Sequence, residues 1–211
     1  MKFLVVSDLH RKKSDFSWIN EEIRSSGAEA VLVLGDVTDF GSRKLVSEIL
    51  SSIDSKVYAI PGNCDPLDFS EGVPESAADM HGKAVCFGDY RLVGLGGSNV
   101  TIFGTPFELK EDEIYSRLKE ISSEGMILMT HAPSYGILDH IPNGTSVGSP
   151  AVLKIVEEFR PVLALSGHIH EDFGVVEKNG TVFVNPGPAK DKRFAVVKIE
   201  NGKVEAELRK H

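Results

Sequence analysis

The sequence has little cysteine, no surplus of positive charge and no long apolar run. Its two cysteines, Cys64 and Cys86, form no C-x-x-C pair, so a structural zinc knuckle is not supported. We expect two reduced thiols of an intracellular protein instead of a disulfide. The first apolar run, Phe3–Val6, is far shorter than the ~20 residues that span a membrane. A cytoplasmic protein with no membrane association is therefore the expectation.

The charge balance is acidic, with a formal net charge of -8 and a pI near 5.4. Contacts to nucleic-acid phosphates depend on clustered Lys and Arg, so the charge does not support a nucleic-acid partner. It leaves nucleic acid open as a substrate, because bound metal cations supply positive charge locally.

Length and composition predict an ordinary folded domain. Hydrophobic residues make up 41% and charged residues 26% of the 211 residues, which excludes disorder for most of the chain. No linker, repeat or low-complexity tract interrupts it, so we expect a single domain over residues 1–211.

Strand and helix patterns alternate in the first part of the chain, and β-hairpins follow in the last. Apolar runs end at Val6, Leu34 and Ile60, and amphipathic helices are predicted near 16–25 and 42–53. Further helices are predicted over 110–122 and 150–159. The pairs Asn179-Gly180 and Asn201-Gly202 suit type I′ hairpin turns. The pattern favours an α/β or α+β fold in which two packed sheets are flanked by helices.

Five apolar runs are each followed by a potential metal ligand. The loops at the carboxyl ends of parallel strands meet at one edge, so ligands far apart in sequence converge there. Oxygen and nitrogen donors without sulfur suit manganese, iron, nickel or zinc. The predicted ligands are Asp8, His10, Asp36, Asn63, His131, His168 and His170.

Each ligand has an ordinary structural alternative when it is considered alone. Asp8 or Asp36 would suit a helix N-cap or a turn, Asn63 a turn, and His131 a hydrogen-bonded, half-buried position. Two histidines on alternate residues after a buried strand, His168 and His170, have no such packing reason. The full set at five strand ends favours the metal site.

Seven ligands are too many for one tetrahedral ion. They suit two divalent ions about 3.5–4 Å apart, which position a bridging water, lower its pKa and neutralise a leaving oxygen. Repulsion between the two ions requires an anionic bridge, for which Asp36 is the natural candidate.

The order of these motifs resembles the calcineurin-like metallophosphoesterase superfamily. The motifs are D-x-H at Asp8, G-D at Asp36, G-N at Asn63, a single His131 and G-H-x-H at His168. The resemblance runs from residue 5 to about residue 187. It implies a four-layer α/β/β/α sandwich and a phosphoesterase that hydrolyses phosphodiesters, cyclic or nucleotide esters among them, or phosphomonoesters through a metal-bridging hydroxide.

The resemblance also divides the ligands between the ions. Asp8, His10, Asp36 and His170 would hold the first ion. The second would be held by Asp36, Asn63, His131 and His168.

One position departs from much of the superfamily, where a histidine follows Gly-Asn and serves as a proton donor or phosphate contact. Here Cys64 follows, and then Asp65, so these two are the candidate catalytic side chains. If coordination of the leaving oxygen suffices, good leaving groups should be favoured. Asp39 is predicted to orient a ligand, with helix N-capping as the alternative, and His140 to contact substrate from a long loop over 132–148.

The remaining alternatives concern the class of protein and its partners. The string Gly144–Gly148 fits the G-x-S-x-G motif of serine hydrolases, but the strand that this motif requires does not precede it. A non-catalytic metal-binding scaffold with a phosphoesterase fold, like the retromer subunit of this superfamily, is the main rival. The expected partner is a small phosphate-ester substrate, and a homo-oligomer is left open.

Overall fold

The computed structural model describes residues 1–10 and 16–211. Six strands form a first sheet, in the spatial order β14 (Lys203–Lys210), β13 (Arg193–Glu200), β1 (Lys2–Val6), β2 (Ala30–Val33), β3 (Val57–Ala59) and β4 (Ala77–Asp79). Strands β1 to β4 are parallel, and β13 and β14 are antiparallel to their neighbours.

Six further strands form a second sheet, in the order β11 (Gly174–Lys178), β12 (Thr181–Asn185), β10 (Leu163–Leu165), β9 (Ile127–Thr130), β6 (Tyr90–Leu95) and β5 (Lys83–Phe87). The four central strands are parallel and the two edge strands antiparallel. A separate pair consists of β7 (Ser98–Asn99) and β8 (Glu108–Leu109).

The helices cover the outer face of each sheet. Apolar side chains of α1 (Ser17–Ser26), α2 (Arg43–Ser51) and α3 (Phe69–Gly72) share a core with the first sheet. Those of α4 (Glu111–Ile121) and α5 (Pro150–Phe159) share one with the second sheet. A short 3₁₀ turn, Ala189–Asp191, precedes β13.

Strand β1 shows how the layers pack. Leu4 and Val6 belong to the core beneath the first three helices, whereas Phe3 and Val5 belong to the core between the two sheets. Alternate side chains of a strand point to opposite faces, so a strand buried on both faces is apolar throughout. The predicted four-layer order of helix, sheet, sheet and helix is thereby confirmed.

Most predicted elements are confirmed within a few residues of their observed ends. The helix predicted over 42–53 is shorter, because Ser52 already ends it. At both predicted hairpin turns the two central residues have positive φ, 52° and 83° at Asn179-Gly180 and 51° and 77° at Asn201-Gly202, as a type I′ turn requires. The sequence did not predict α3, β4, β7 or β8, which have two to four residues each.

The parallel strands place the candidate site. In the first sheet the carboxyl ends of β1, β2 and β3 are adjacent, and in the second sheet those of β9 and β10 are adjacent. Among the described helices, none has the length and apolar character needed to cross a bilayer.

Candidate metal centre

Backbone hydrogen bonds join the loops that follow these strands. The N–H of Asp8 donates to the carbonyl of Gly35 at 3.0 Å, and the N–H of His10 donates to the carbonyl of Asp36 at 2.9 Å. In the second sheet the N–H of Gly167 donates to the carbonyl of His131 at 3.0 Å. The loops are therefore held together by their own backbone.

Four predicted ligands have a left-handed backbone. The φ angles are 55° at Asp8, 44° at His10, 47° at Asp36 and 67° at His168. This region costs roughly 1–2 kcal/mol for a residue with a Cβ, and such strain collects at functional sites. The concentration of strained residues in these loops agrees with their place as the candidate site.

The first ligand group consists of Asp8, His10, Asp36 and His170. The Nε2 atoms of His10 and His170 are 3.2 Å apart, and His170 Nε2 lies 3.3 Å from Asp8 Oδ1. His10 Nε2 lies 3.5 Å from Asp36 Oδ2. The structure thus brings all four predicted ligands of the first ion together.

The second ligand group shares Asp36 with the first. His131 Nε2 lies 3.6 Å from Asp36 Oδ1 and 3.0 Å from Asn63 Oδ1. The ring of His168 contacts the ring of His131, with centroids 5.0 Å apart. Asp36 therefore presents one oxygen to each group, which is the arrangement expected of a bridging carboxylate.

Neighbouring polar groups orient two of these ligands. Asn63 donates its amide Nδ2 to Thr105 Oγ1 at 3.0 Å, which turns its carbonyl oxygen towards His131. His131 Nδ1 lies 2.7 Å from the carbonyl oxygen of Leu34. Because a carbonyl only accepts, Nδ1 carries a proton, and Nε2 is the nitrogen that faces the site and can bind a metal once it has lost its own proton.

The site holds two buried carboxylates among histidines. Burial alone would raise the pKa of Asp8, but contact with His170 and the charge of His131 outweigh it and lower that pKa. For Asp36 burial is likewise outweighed, mainly by His131. In His168, burial and then the charge of His131 lower the pKa to about 4.

One buried carboxylate oxygen indicates that the site suits a cation. Asp8 Oδ1 is buried and has no hydrogen-bond partner among the described residues, although His170 Nε2 is 3.3 Å away. A buried carboxylate oxygen without a donor is costly, and a cation removes the cost. Ligand atoms of Asp8, His10 and His170 lie within 4.8 Å of one another. The donor set therefore fits a divalent metal.

Cys64 lies against the same carboxylate. Its N–H donates to Asp36 Oδ1 at 2.8 Å, and its sulfur lies within 4.8 Å of ligand atoms of His10 and Asp36. Burial, and then the negative charge of Asp36, raise the pKa of the thiol far above its usual range. Without metal the thiol is a poor acid, and its predicted proton-donor role stays a prediction.

Asp65 fastens two ligand loops together. Its carboxylate accepts hydrogen bonds from the N–H groups of Val37, Thr38 and Gly62 and from the Thr38 hydroxyl, at 2.8–3.0 Å. Burial and the charge of Asp36 raise its pKa to about 6. These contacts favour a positioning role over the catalytic role predicted for Asp65, which stays untested.

The two other predicted residues lie in separate places. Asp39 is partly exposed on the loop after β2, and its predicted part in orienting a ligand stays a prediction. His140 is exposed, and its N–H and its Nδ1 each lie 2.8 Å from Asp172 Oδ2. With Asp139 they form a separate group of potential ligands, so the substrate contact predicted for His140 also stays a prediction.

Two residues near the centre are not among the predicted site residues. Asn185 is buried and donates Nδ2 to the carbonyls of Ile169 and Asp172 at 2.8 and 3.2 Å, which holds the loop that carries the histidines. Lys190 Nζ lies 3.2 Å from His170 Nδ1 and brings a positive charge to the rim. Asn185 begins an Asn-Pro-Gly-Pro sequence, which is a recognisable turn signal at the end of β12, whereas no pattern distinguishes Lys190 from a surface lysine.

The family follows from a match to the whole ligand-bearing part of the chain. Residues 1–172 match the family model described as calcineurin-like phosphoesterase, and this stretch contains all seven predicted ligands. The chain belongs to the calcineurin-like phosphoesterase family. The resemblance inferred from the order of the motifs is thereby confirmed.

Two curated proteins and one solved structure are also similar to this chain. The uncharacterised protein MJ1162 of Methanocaldococcus jannaschii is 32% identical over 199 residues, which cover 89% of this chain and 88% of the relative. Phosphodiesterase YfcE of Escherichia coli is 34% identical over 74 residues, or 31% of this chain and 40% of YfcE. The crystal structure of TT1561 from Thermus thermophilus shares the fold, with a TM-score of 0.71 at 15% identity over 98% of this chain and 97% of that one.

Proposed function

We propose that this calcineurin-like phosphoesterase hydrolyses phosphate esters, diesters foremost, with two divalent metal ions held by the two ligand groups. The observation that carries the proposal is Asp36, whose two oxygens face His10 in one group and His131 in the other. The unpartnered Asp8 Oδ1 supports the first ion. The limited similarity to a protein named phosphodiesterase supports the diester.

When bound, two such ions supply positive charge to the phosphate and acidify a water molecule. The residues of the chain fix where this happens. Thr105 and the Leu34 carbonyl keep Asn63 Oδ1 and His131 Nε2 facing inwards, and Asp65 joins the loop of Asn63 to that of Asp36. Lys190, beside His170, adds a cation that the phosphate oxygens can approach.

The candidate site offers no strong proton donor to the leaving group among its described residues. The thiol of Cys64 stands where many relatives have an imidazole, and a thiol with an ordinary pKa of about 8.5 is less suited than an imidazole to donate a proton at neutral pH. Esters whose leaving oxygen is already a weak base need no donor. We therefore propose that aryl esters react faster than alkyl esters, whether the substrate is a diester or a monoester.

The test compares hydrolysis of bis-4-nitrophenyl phosphate, 4-nitrophenyl phosphate, a cyclic nucleotide and single-stranded DNA, each with manganese, nickel and magnesium. Asn63→Ala and His168→Ala should lower kcat/KM by about 100-fold or more, since even groups that only orient a metal ligand contribute 10–100-fold. His211→Ala is the matched control, because His211 lies elsewhere and pairs with Glu22.

Two outcomes would reject this proposal. Equal hydrolysis by the parent, Asn63→Ala and His168→Ala proteins would place the chemistry elsewhere. Less than one bound manganese per chain, with no hydrolysis of any ester, would instead support the rival function of a non-catalytic scaffold.

A further inference from the structure

An apolar pocket of about 540 Å³ adjoins the metal centre. His168, a predicted metal ligand, and the next residue, Ile169, form the wall nearest the centre. The other walls come from the loop between β7 and β8 and from the loop after His131. Their apolar members are Val100, Ile102, Phe103, Tyr135, Ile141 and Val147.

The charge of this pocket limits what can occupy it. Its described lining contains no Asp, Glu, Lys or Arg, and besides His168 the polar members are Asn99, Thr101 and Ser146. Ile102 is 95% exposed and Phe103 is 79% exposed, which is unusual for large apolar side chains. Covering them removes apolar surface from water, so the pocket favours an uncharged apolar ligand.

We propose that this pocket binds an aromatic ester group of the substrate. His168 belongs both to the second ligand group and to the pocket wall, so a phosphate held at the metal centre has an ester group within reach of the pocket. The inference rests on the proposed phosphoesterase function and names the class of ester for it.

The aromatic character follows from the lining. Phe103 and Tyr135 contribute two rings, and aromatic pairs gain stability beyond the burial of their area. The described lining offers no lysine or arginine to a second phosphate, so a nucleoside polyphosphate is disfavoured there.

The walls are held in place before a ligand arrives. Buried Asp139 accepts hydrogen bonds from the N–H groups of Gly136 and Gly148, both at 2.9 Å, which closes one loop. In the other loop, the Thr101 hydroxyl donates to Glu108 at 2.6 Å. A pocket formed in advance requires little ordering when a ligand binds, which favours affinity.

The binding of two phosphonates to the manganese-loaded protein tests this proposal by calorimetry. Phenylphosphonate and methylphosphonate carry the same metal-binding group and cannot be hydrolysed, so reactivity of a leaving group plays no part. We expect phenylphosphonate to bind about tenfold more tightly, as burial of one ring allows.

Two double variants show whether the preference for phenylphosphonate arises in this pocket. Ile102→Ser/Phe103→Ser should reduce it to about twofold and leave methylphosphonate binding unchanged, since both side chains are exposed and contribute little to the fold. Val175→Ser/Val176→Ser, two neighbouring residues in β11 that are 41% and 38% exposed, is the matched control and should keep the full preference.

The outcomes separate this inference from the proposed function. Equal affinity for the two phosphonates would overturn the pocket and leave the phosphoesterase standing. If neither phosphonate bound, and His168→Ala hydrolysed esters as well as the parent protein, the result would instead count against the metal centre. If sedimentation showed a dimer that Ile102→Ser/Phe103→Ser dissociates, with no phenyl preference, the pocket would be a contact between two copies.

Discussion

At the scale of single residues, His131 is a buried ligand whose affinity for a proton is raised. It is fully buried, and burial alone would lower its pKa, but the negative charges of Asp36 and Asp8 raise that pKa to about 9. His168 beside it has a lowered pKa and is neutral at pH 7. In the metal-free protein, the positive charge of the second ligand group at neutral pH therefore resides on His131.

Manganese binding should consequently release a proton from His131. A metal ligand must be neutral imidazole, so below a pKa of about 9 the metal competes with a proton. Manganese affinity should therefore rise with pH and level off above about pH 9. Calorimetry at pH 7 in buffers of different ionisation enthalpy should show uptake of close to one proton by the buffer for each His131 occupied.

The variant His131→Asn, which keeps an oxygen donor, is the control and should lose this proton release. A buffer-independent binding enthalpy in the parent protein would contradict the expected state of His131. His168→Asn should leave the proton release intact, since His168 is already neutral at pH 7 and releases no proton when it binds a metal.

Single residues also show where prediction from sequence ends. Ligand types were predictable because Asp and His after apolar runs stand out from ordinary turn residues. The hydrogen-bond partner of Asn63 was not predictable, because Thr105 is 42 residues away and no periodicity joins the two. Asp65 gave the same difficulty, since its four donors become visible only when two loops are in contact.

At the scale of elements, the long strands were predictable and the short ones were not. Strand β1 is apolar from Phe3 to Val6 because both of its faces are buried there, and this run is visible in the sequence. The strand β4, Ala77–Asp79, has only three residues and pairs with β3 through its backbone. Such a segment carries too few side chains for a period of two to be detected.

The loop after β2 offers a test of how closely two ligand loops pack. Gly35 has φ of +96°, and a Cβ there would lie 2.6 Å from Gly62 N and 2.7 Å from His131 Nδ1. Gly35→Ala should therefore displace the second ligand group and weaken manganese binding by about 10–100-fold, as loss of ligand orientation does. Calorimetric titration with manganese measures the effect.

Gly180→Ala is the matched control for backbone strain. Gly180 has φ of +83° in a hairpin turn, and a Cβ there would meet no atom within 4 Å. The Gly180→Ala substitution should lower the free energy of unfolding by roughly 1 kcal/mol and leave manganese affinity unchanged. If Gly35→Ala, like Gly180→Ala, lost stability but kept its manganese affinity, close packing of the loops would have no bearing on the metal centre.

At the scale of the whole molecule, the metal centre connects two sheets. Asp8, His10, Asp36 and Asn63 follow strands of the first sheet, whereas His131, His168 and His170 follow strands of the second. Each ligand group contains residues from both sheets. Divalent ions bound there would join the two halves of the sandwich as well as serve the chemistry.

Metal binding should therefore stabilise the whole fold. A ligand present at about a thousand times its dissociation constant stabilises the native state by about 4 kcal/mol. For a chain of this size each kcal/mol raises the Tm by roughly 2–4 °C, so manganese should raise it by on the order of 10 °C. Thermal unfolding followed by circular dichroism, with manganese and with a chelator, measures the shift.

Two carboxylate variants show whether the shift arises at the metal centre. Asp36→Asn removes the charge that faces both ligand groups and should abolish most of the manganese-dependent shift, whatever its effect on the metal-free Tm. Asp54→Asn, at an exposed position after α2, should keep the full shift. An equal shift in both variants would mean that manganese stabilises the protein from another site, and the joining of the sheets by metal would then have to be abandoned.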